Sequence, residues 1–400
     1  MANLYRNQFL IFDKHPGLAY LDNAATTQRP KVVVEAIYDF YAYENANIHR
    51  GVYDLSNNAT QKYEAVRSQV ARFLGTENAA SIAFTKGTTE SVNIVANSFL
   101  SPTLNEGDNV VTTIMEHHAN FIPWQKIAQE KKVEFRVIPI DKNGDLNLLA
   151  LNNLIDRKTK LLSVNHISNT LGTINPIEEI IEIAHKKGVP VMLDAAQSAA
   201  YYELSQKKLQ YDFLAFSAHK LFGPFGVGIL YVADNYIENI LPYNLGGGII
   251  REVSVEETLF NNYPYNMDAG TPNIGGAMGL AAAIKFVSGL DKKEIQENIN
   301  HLRIYCEEKL RAINDVNILG NPKKKSGIIS FTIKAIHPHD IASFLNQDNI
   351  AVRAGMHCTQ PLLNALATPA TVRVSFSVYN TKEEVDRLVH SIKELINFWS

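Results

Sequence analysis

Residues 211–228 read YDFLAFSAHKLFGPFGVG. The run opens with four consecutive apolar residues, Phe213–Phe216, the pattern of a buried strand. It breaks at Ser217-Ala218-His219-Lys220, turns at Gly223-Pro224 and Gly226, and yields to a second apolar run, Val227–Val232. Lys220 therefore stands where a buried strand ends and a tight turn begins. Partial desolvation there disfavours the ammonium form, and a neutral amine condenses with an aldehyde to form a Schiff base. The competing reading is a solvated lysine that happens to follow a strand.

Working outward, strand-like runs recur at 81–85, 109–115, 133–140, 160–167, 189–194, 212–216 and 227–232, with helical patterns at 89–99, 119–131 and 177–187 between them. This alternation predicts an α/β fold with a mostly parallel seven-stranded sheet covered on both faces. Ligands of such sheets bind at the carboxyl ends of the strands, and the polar clusters of this chain fall at those ends. Residues 1–19 read as an N-terminal arm, and 20–290 as a large domain. Residues 291–400 read as a smaller α+β domain, opened by a helix over 292–313 and built on strands at 327–333, 351–353 and 372–377. Past Asp234 the pattern loosens, and Gly246–Gly248 and Gly270–Gly276 read as flexible loops that approach a ligand.

Composition narrows the classes. The 400 residues carry 38 Lys and Arg against 41 Asp and Glu, a net charge of −3. No basic face is implied, so nucleic acid is not an expected partner. No run approaches the roughly 20 apolar residues of a membrane span, and the first residues hold no signal core. The expectation is a cytoplasmic protein. Two cysteines, Cys306 and Cys358, make no disulfide framework.

Four clusters carry chemistry. Lys86-Gly87-Thr88-Thr89-Glu90-Ser91 follows a strand and opens a helix, which suits a phosphate or a plain helix cap. Asp194 closes an apolar strand, where a carboxylate needs a partner. A ring N–H would be one; the alternative is an N-cap. Glu116-His117-His118 invites a metal reading, but adjacent histidines rarely share an ion and no further ligand stands at a suitable spacing. An imidazole stacked on a cofactor ring competes there with a capping or core histidine. Arg353-Ala354-Gly355-Met356-His357-Cys358 places a thiol in a polar loop beside His357 and Arg353, a setting for thiolate character. Arg373, in a strand that is otherwise apolar, calls for an anion such as a substrate carboxylate. Cys306 lies in a helix and reads as packing.

Together these residues resemble the pyridoxal 5'-phosphate enzymes of the class V aminotransferase group, of fold-type-I architecture. The Ser217–Pro224 element is characteristic of the group. Arg353–Cys358 resembles the cysteine loop of its SUF-type cysteine desulfurases, also called selenocysteine lyases. The resemblance runs from Tyr20-Leu21-Asp22-Asn23-Ala24-Ala25 to the last helix. It implies that Lys220 carries the cofactor as a Schiff base, Asp194 pairs with the ring nitrogen, Gln197 bonds the phenolate oxygen and His117 stacks on the ring. Thr88, Ser217 and His219 would hold the phosphate, and Thr271 would reach the cofactor of the neighbouring subunit in a homodimer. Asn169, Arg353 and Arg373 would bind the substrate, and Cys358 would take its sulfur. The implied reaction converts L-cysteine to L-alanine, with sulfur passed to a SUF-type acceptor protein for iron–sulfur cluster assembly. Selenocysteine lyase and cysteine-sulfinate desulfinase reactions are the alternatives on the same scaffold.

Overall fold

The computed structural model describes residues 5–399. Its centre is a seven-stranded sheet. In spatial order the strands are Ile82–Thr85, Gly228–Val232, Phe213–Ser217, Val191–Asp194, Thr159–Asn165, Asn109–Thr113 and Glu134–Ile138. The five strands from Phe213–Ser217 to Glu134–Ile138 are mutually parallel. Gly228–Val232 runs antiparallel to both of its neighbours. The reason is chain length: the link from Ser217 to Gly228 is too short for the helical crossover a parallel return needs. That short link is the turn carrying Lys220.

Five strands are buried throughout their length: Ile82–Thr85, Asn109–Thr113, Val191–Asp194, Phe213–Ser217 and Gly228–Val232. This explains why they read as unbroken apolar runs. Their side chains alternate between two cores. Val111, Leu193, Leu214, Phe216 and Ile229 enter one, while Val110, Met192, Phe213, Ala215 and Leu230 enter the other. Burying such side chains is worth about 1.5–3 kcal/mol each.

A second, four-stranded antiparallel sheet has the order Val316–Ile318, Ile328–Ile333, Thr371–Ser375, Arg353–Gly355. The helices Lys292–Arg311, Pro338–Gln347 and Lys382–Trp399 accompany it in sequence. Its register sets Arg353 opposite Arg373. The segment 21–27 links the second sheet to the Lys220 turn: Ser375 N donates to Leu21 O at 2.8 Å, and Thr27 N donates to His219 O at 3.0 Å.

One expectation needs correction, and two regions hold structure the sequence did not indicate. The strand read at 351–353 is two pieces, Ile350–Ala351 and Arg353–Gly355, which pair with different partners. The loosened region holds an antiparallel hairpin, Ile250–Val253 with Thr258–Phe260. Its side chains are mostly exposed, so no apolar alternation marked it. The arm packs onto the body: Phe9 is fully buried against Phe222, Phe286 and Tyr379, and Arg6 pairs with Glu384 at 2.6 Å. Among the described residues, no single helix is long and apolar enough to cross a membrane.

Candidate active site

The carboxyl ends of the parallel strands open on a cavity of about 300 Å³. The structure brings eleven of the singled-out side chains to it: Thr88, His117, Asn169, Asp194, Gln197, Ser217, His219, Lys220, Arg353, Cys358 and Arg373. Thr271 is not among them. It is exposed and lines a separate depression with Asn47, Arg50 and Tyr265.

Lys220 ends a single turn, Ala218–Lys220, directly after its strand. Burial pushes its pKa down to about 8, Asp194 pulls the other way, and Arg373 adds to the lowering. The free-amine fraction near physiological pH is thereby raised far above that of an ordinary lysine, which favours imine formation. Asp194, on the adjacent strand, has its carboxyl raised by burial, a shift opposed by the Ala196 N–H, which donates to Oδ1 at 2.8 Å, and by Lys220. No α-helix follows it directly, so Asp194 caps the turn that begins at Ala195 rather than a helix.

Beside Lys220, the first turn after Ile82–Thr85 meets Ser217. Thr88 N donates to Ser217 Oγ at 2.8 Å, and the Thr88 and Ser217 hydroxyls lie 2.8 Å apart. Gly87, not Thr88, caps the helix Thr88–Ile94. Gly87 and Gly228 touch through their backbones: a Cβ at Gly228 would come within 2.8 Å of Gly87 C and 2.7 Å of its N. Only glycine permits that approach. His219 Nδ1 is buried without a hydrogen-bond partner, and burial with Lys220 holds this imidazole down at about 4, hence neutral.

His117 both caps the turn His118–Asn120, accepting from Ala119 N at 3.0 Å, and lines the cavity. Burial and the Lys220 cation push it down to about 3, so it presents a neutral ring. Behind it lies a residue with no role assigned from sequence. Glu116 is fully buried, and its carboxyl takes Thr113 Oγ1 at 2.6 Å, Asn120 Nδ2 at 2.6 Å and Asn165 N at 3.0 Å. Burial pushes it up to about 8 against those three donors. Asn165 pairs with Asp194 across the strands, so Glu116 braces the strand ends on either side of the site.

The opposite wall is the second sheet. Arg373 is 3% exposed; its Nη1 donates to Asn169 O at 2.9 Å, its Nη2 lies 3.3 Å from Asp22 Oδ1, and its Nε has no partner. Arg353 grips the same carboxylate at 2.9–3.1 Å. Asp22 went unassigned in the sequence although it sits in the Leu21-Asp22-Asn23 motif; a carboxylate there was the available signal. Asn169 Nδ2 donates to His357 O at 2.8 Å, while its Oδ1 is buried and unpartnered. Arg373 Nε and Asn169 Oδ1 are free buried polar atoms in a site lined by cations, a fit for an amino-acid carboxylate and its neighbouring groups.

Cys358 is exposed, in contrast to buried Cys306. His357 and Cys358 both adopt left-handed backbone, φ 51° and 56°, a conformation that costs non-glycine residues of order 1–2 kcal/mol each. Tethers on both sides hold it. His118 N donates to Cys358 O at 2.7 Å, and His357 Nε2 meets Thr371 Oγ1 at 2.7 Å. Thr359 Oγ1 meets Thr170 Oγ1 at 2.7 Å. Of the two neighbours read as the setting for thiolate character, His357 brings no charge: its ring bonds to Thr371, and burial with Arg373 pushes it down to about 3, so it is neutral. The cations that sense Cys358 are Lys220, Arg353 and Arg373. Among the described residues no three His, Cys, Asp or Glu form a metal site.

A lowered-pKa lysine at a strand end, an acid on the next strand and a glycine-backed hydroxyl pair define an α/β enzyme built to hold a phosphorylated aldehyde cofactor. The chain belongs to the aminotransferase class-V family, whose model matches residues 19–388. It is 42% identical over 377 residues to a probable cysteine desulfurase of Halalkalibacterium halodurans, covering 94% of this chain and 93% of that protein. It is also 42% identical over 379 residues to a cysteine desulfurase of Escherichia coli K12, with the same coverage. Among solved structures, the apo cysteine desulfurase of Thermococcus onnurineus NA1 superposes with a TM-score of 0.94 at 39% identity, over 99% of this chain and 100% of that one. The S-sulfonic acid form of the Escherichia coli cysteine desulfurase CsdA gives 0.92 at 34% identity, over 98% of each.

Proposed function

We propose that this chain is a pyridoxal-phosphate-dependent cysteine desulfurase that moves sulfur from L-cysteine to Cys358. The observation that carries the reading is the shared cavity: Lys220, Asp194 and Cys358 face one space, with Arg373 at its wall. The residues fit the cofactor. Thr88, Ser217 and His219 would hold its phosphate where Gly87 and Gly228 leave no side chain, His117 would cover its ring, and Gln197 would meet its phenolate oxygen. Bound there, pyridoxal phosphate supplies an electron-withdrawing ring that takes up the electron pair released at the substrate Cα.

The protein's own groups divide the work. Asp194 keeps a proton on the ring nitrogen. Arg373, with Asn169 and Arg353, orients the substrate carboxylate. Lys220, whose free-amine form the depressed pKa favours, takes the Cα proton and returns it. Cys358 thiolate then attacks the substrate sulfur. An S–S bond forms, the substrate Cβ–S bond breaks, and its electron pair ends with a proton on carbon. Cysteine plus the Cys358 thiol thus become alanine plus the Cys358 persulfide, with atoms and electrons balanced.

The proposal extends to a cytoplasmic homodimer that feeds a SUF-type acceptor for iron–sulfur assembly. The free cysteines support a reducing compartment. Support for the dimer comes from Thr271, exposed in its own depression, and from exposed Tyr41, Tyr43, Val52 and Val255 nearby in sequence to residues of that depression. The test is purified enzyme with L-cysteine and a thiol reductant, with sulfide and alanine measured together. Equal yields of both support the proposal; alanine without sulfide, or neither product, refutes it.

A further inference from the structure

Two guanidiniums meet one carboxylate on the wall opposite Lys220. The register of the second sheet sets Arg353 directly across from Arg373, and like charges so placed repel. Asp22 lies between them. Its Oδ2 takes Arg353 Nη2 at 2.9 Å, both of its oxygens lie 3.1 Å from Arg353 Nε, and its Oδ1 lies 3.3 Å from Arg373 Nη2. The backbone holds this carboxylate in place. Leu21 N donates to Ala351 O at 2.9 Å, Ser375 N donates to Leu21 O at 2.8 Å, and Asp22 itself pairs with Ser375.

Both arginines line the active-site cavity, while Asp22 is not among its described lining residues. The other groups that sense these arginines carry no fixed charge. Burial pushes Tyr20 up to about 12, so it is a neutral phenol, and His357 is the neutral ring described above. Cys358 is the attacking group of the proposed reaction rather than a fixed partner. The wall therefore holds two fixed positive charges and one fixed negative charge. For carboxylate affinity alone, Asp22 works against the site: it engages Arg373 Nη2 and cancels half of the positive charge that a substrate anion meets.

We propose that Asp22 is a specificity-determining residue: it leaves this wall one unpaired positive charge, so the site favours amino acids whose only anion is the α-carboxylate over those with a second anion on the side chain. The inference rests on the proposed function, in which Arg373 receives the α-carboxylate. Asp22 acts through Arg353 and Arg373. Removing its charge should strengthen the hold on the α-carboxylate of every amino acid alike, so the ratio between doubly and singly anionic ligands reports the second charge.

The experiment is absorbance titration of the cofactor-loaded enzyme with L-alanine and with L-aspartate, beside kcat/KM for L-cysteine and L-cysteine sulfinate read as alanine. The parent should bind L-alanine more tightly than L-aspartate. Asp22→Asn should shift the binding ratio toward L-aspartate, and the kcat/KM ratio toward the sulfinate, by about tenfold, the scale of one unit charge several ångströms away in a partly screened site. Asp22→Glu keeps the charge and should hold both ratios within about threefold of the parent. A residue that only spaces the arginines would change both ligands together in both variants. If Asp22→Asn does not fold, Arg353→Gln decides: it removes the surplus cation, so both ratios should move the opposite way by about tenfold. The inference is overturned by L-aspartate binding the parent as tightly as L-alanine, by Asp22→Asn or Arg353→Gln ratios within about threefold of the parent, or by Asp22→Glu shifting them as far as Asp22→Asn. A parent that shows no spectral change with either amino acid and makes no alanine from cysteine refutes the proposed function and this inference with it. An active parent with unmoved ratios refutes this inference alone.

Discussion

Gly228→Ala places one methyl group against the backbone of Gly87. The new Cβ would stand 2.7 Å from Gly87 N and 2.8 Å from Gly87 C, and closer still to its Cα. All three are backbone atoms, so no side chain can rotate away. Ordinary contact begins near 3.4 Å and the Cα is the nearest of the three, so the turn must retreat by about 1 Å. Thr88 N is the next atom along, and its bond to Ser217 Oγ stretches from 2.8 Å to about 3.8 Å, beyond the range of a hydrogen bond. Overpacking of this kind costs about 1–3 kcal/mol, and the lost bond about 1 kcal/mol more. The packing term should lower the urea midpoint. The displaced donor should also weaken the cofactor phosphate, because hydrogen bonds to charged groups are worth about 1.5–3 kcal/mol, or roughly tenfold to a hundredfold in affinity. The assay is titration of the apo protein with pyridoxal phosphate, followed by absorbance, beside urea unfolding of the same variant. An unchanged urea midpoint together with affinity within about twofold of the parent, a difference of under about 0.5 kcal/mol, would refute the reasoning.

Further predictions follow from the same geometry. Asp194→Asn should fold and bind cofactor but lose turnover by several kcal/mol at the transition state, on the order of a thousandfold; near-normal kcat shows Asp194 to be structural only. Cys358→Ala should keep cofactor and exchange the substrate Cα proton for solvent deuterium, yet release no sulfide from cysteine. Selenocysteine or cysteine sulfinate turnover should suffer less, and normal desulfuration by this variant removes the thiol from the mechanism. Lys220, with its pKa lowered to about 8, reacts as the free amine, so cofactor loading of the apo protein should quicken about tenfold per pH unit below about 8 and level off above it. A flat profile contradicts that assignment. Mixing Lys220→Ala with Thr271→Ala chains should restore activity if each subunit completes its neighbour's site, because one site of each mixed dimer then carries neither lesion. A monomer in solution, or no recovery on mixing, removes the dimer proposal.

The mostly parallel sheet and the Lys220 turn were readable because its central strands Val191–Asp194 and Phe213–Ser217 are apolar runs that end in polar clusters, and both faces of the sheet are buried. Lys220, Asp194 and Cys358 could be picked out because each breaks a local pattern. Asp22 could not, because its meaning lies in Arg353 and Arg373, more than 300 residues further along the chain. Glu116 was visible as a residue but not as a brace, since its partners are split between its own turn and the next strand. His357 misled because adjacency to Cys358 says nothing of where a ring points. The hairpin 250–260 hid because its side chains are mostly exposed.

On the proposed function, in which Cys358 carries the sulfur to a receiver, the tethers around it decide who must move when sulfur leaves. The carbonyls of His357 and Cys358 are both held, and Thr359 is fastened to Thr170. With those bonds in place the loop does not carry its cargo outward, and the reach of the sulfur is the length of one side chain, a few ångströms. Any receiver must therefore bring its own thiol to the mouth of the cavity on a projecting, pliable segment. A receiver whose cysteine sits in a recess would collide with the surrounding wall before the sulfurs met. The choice of receiver then rests on shape at the rim more than on chemistry, and free small thiols compete for the same sulfur whenever no projecting segment fills the opening.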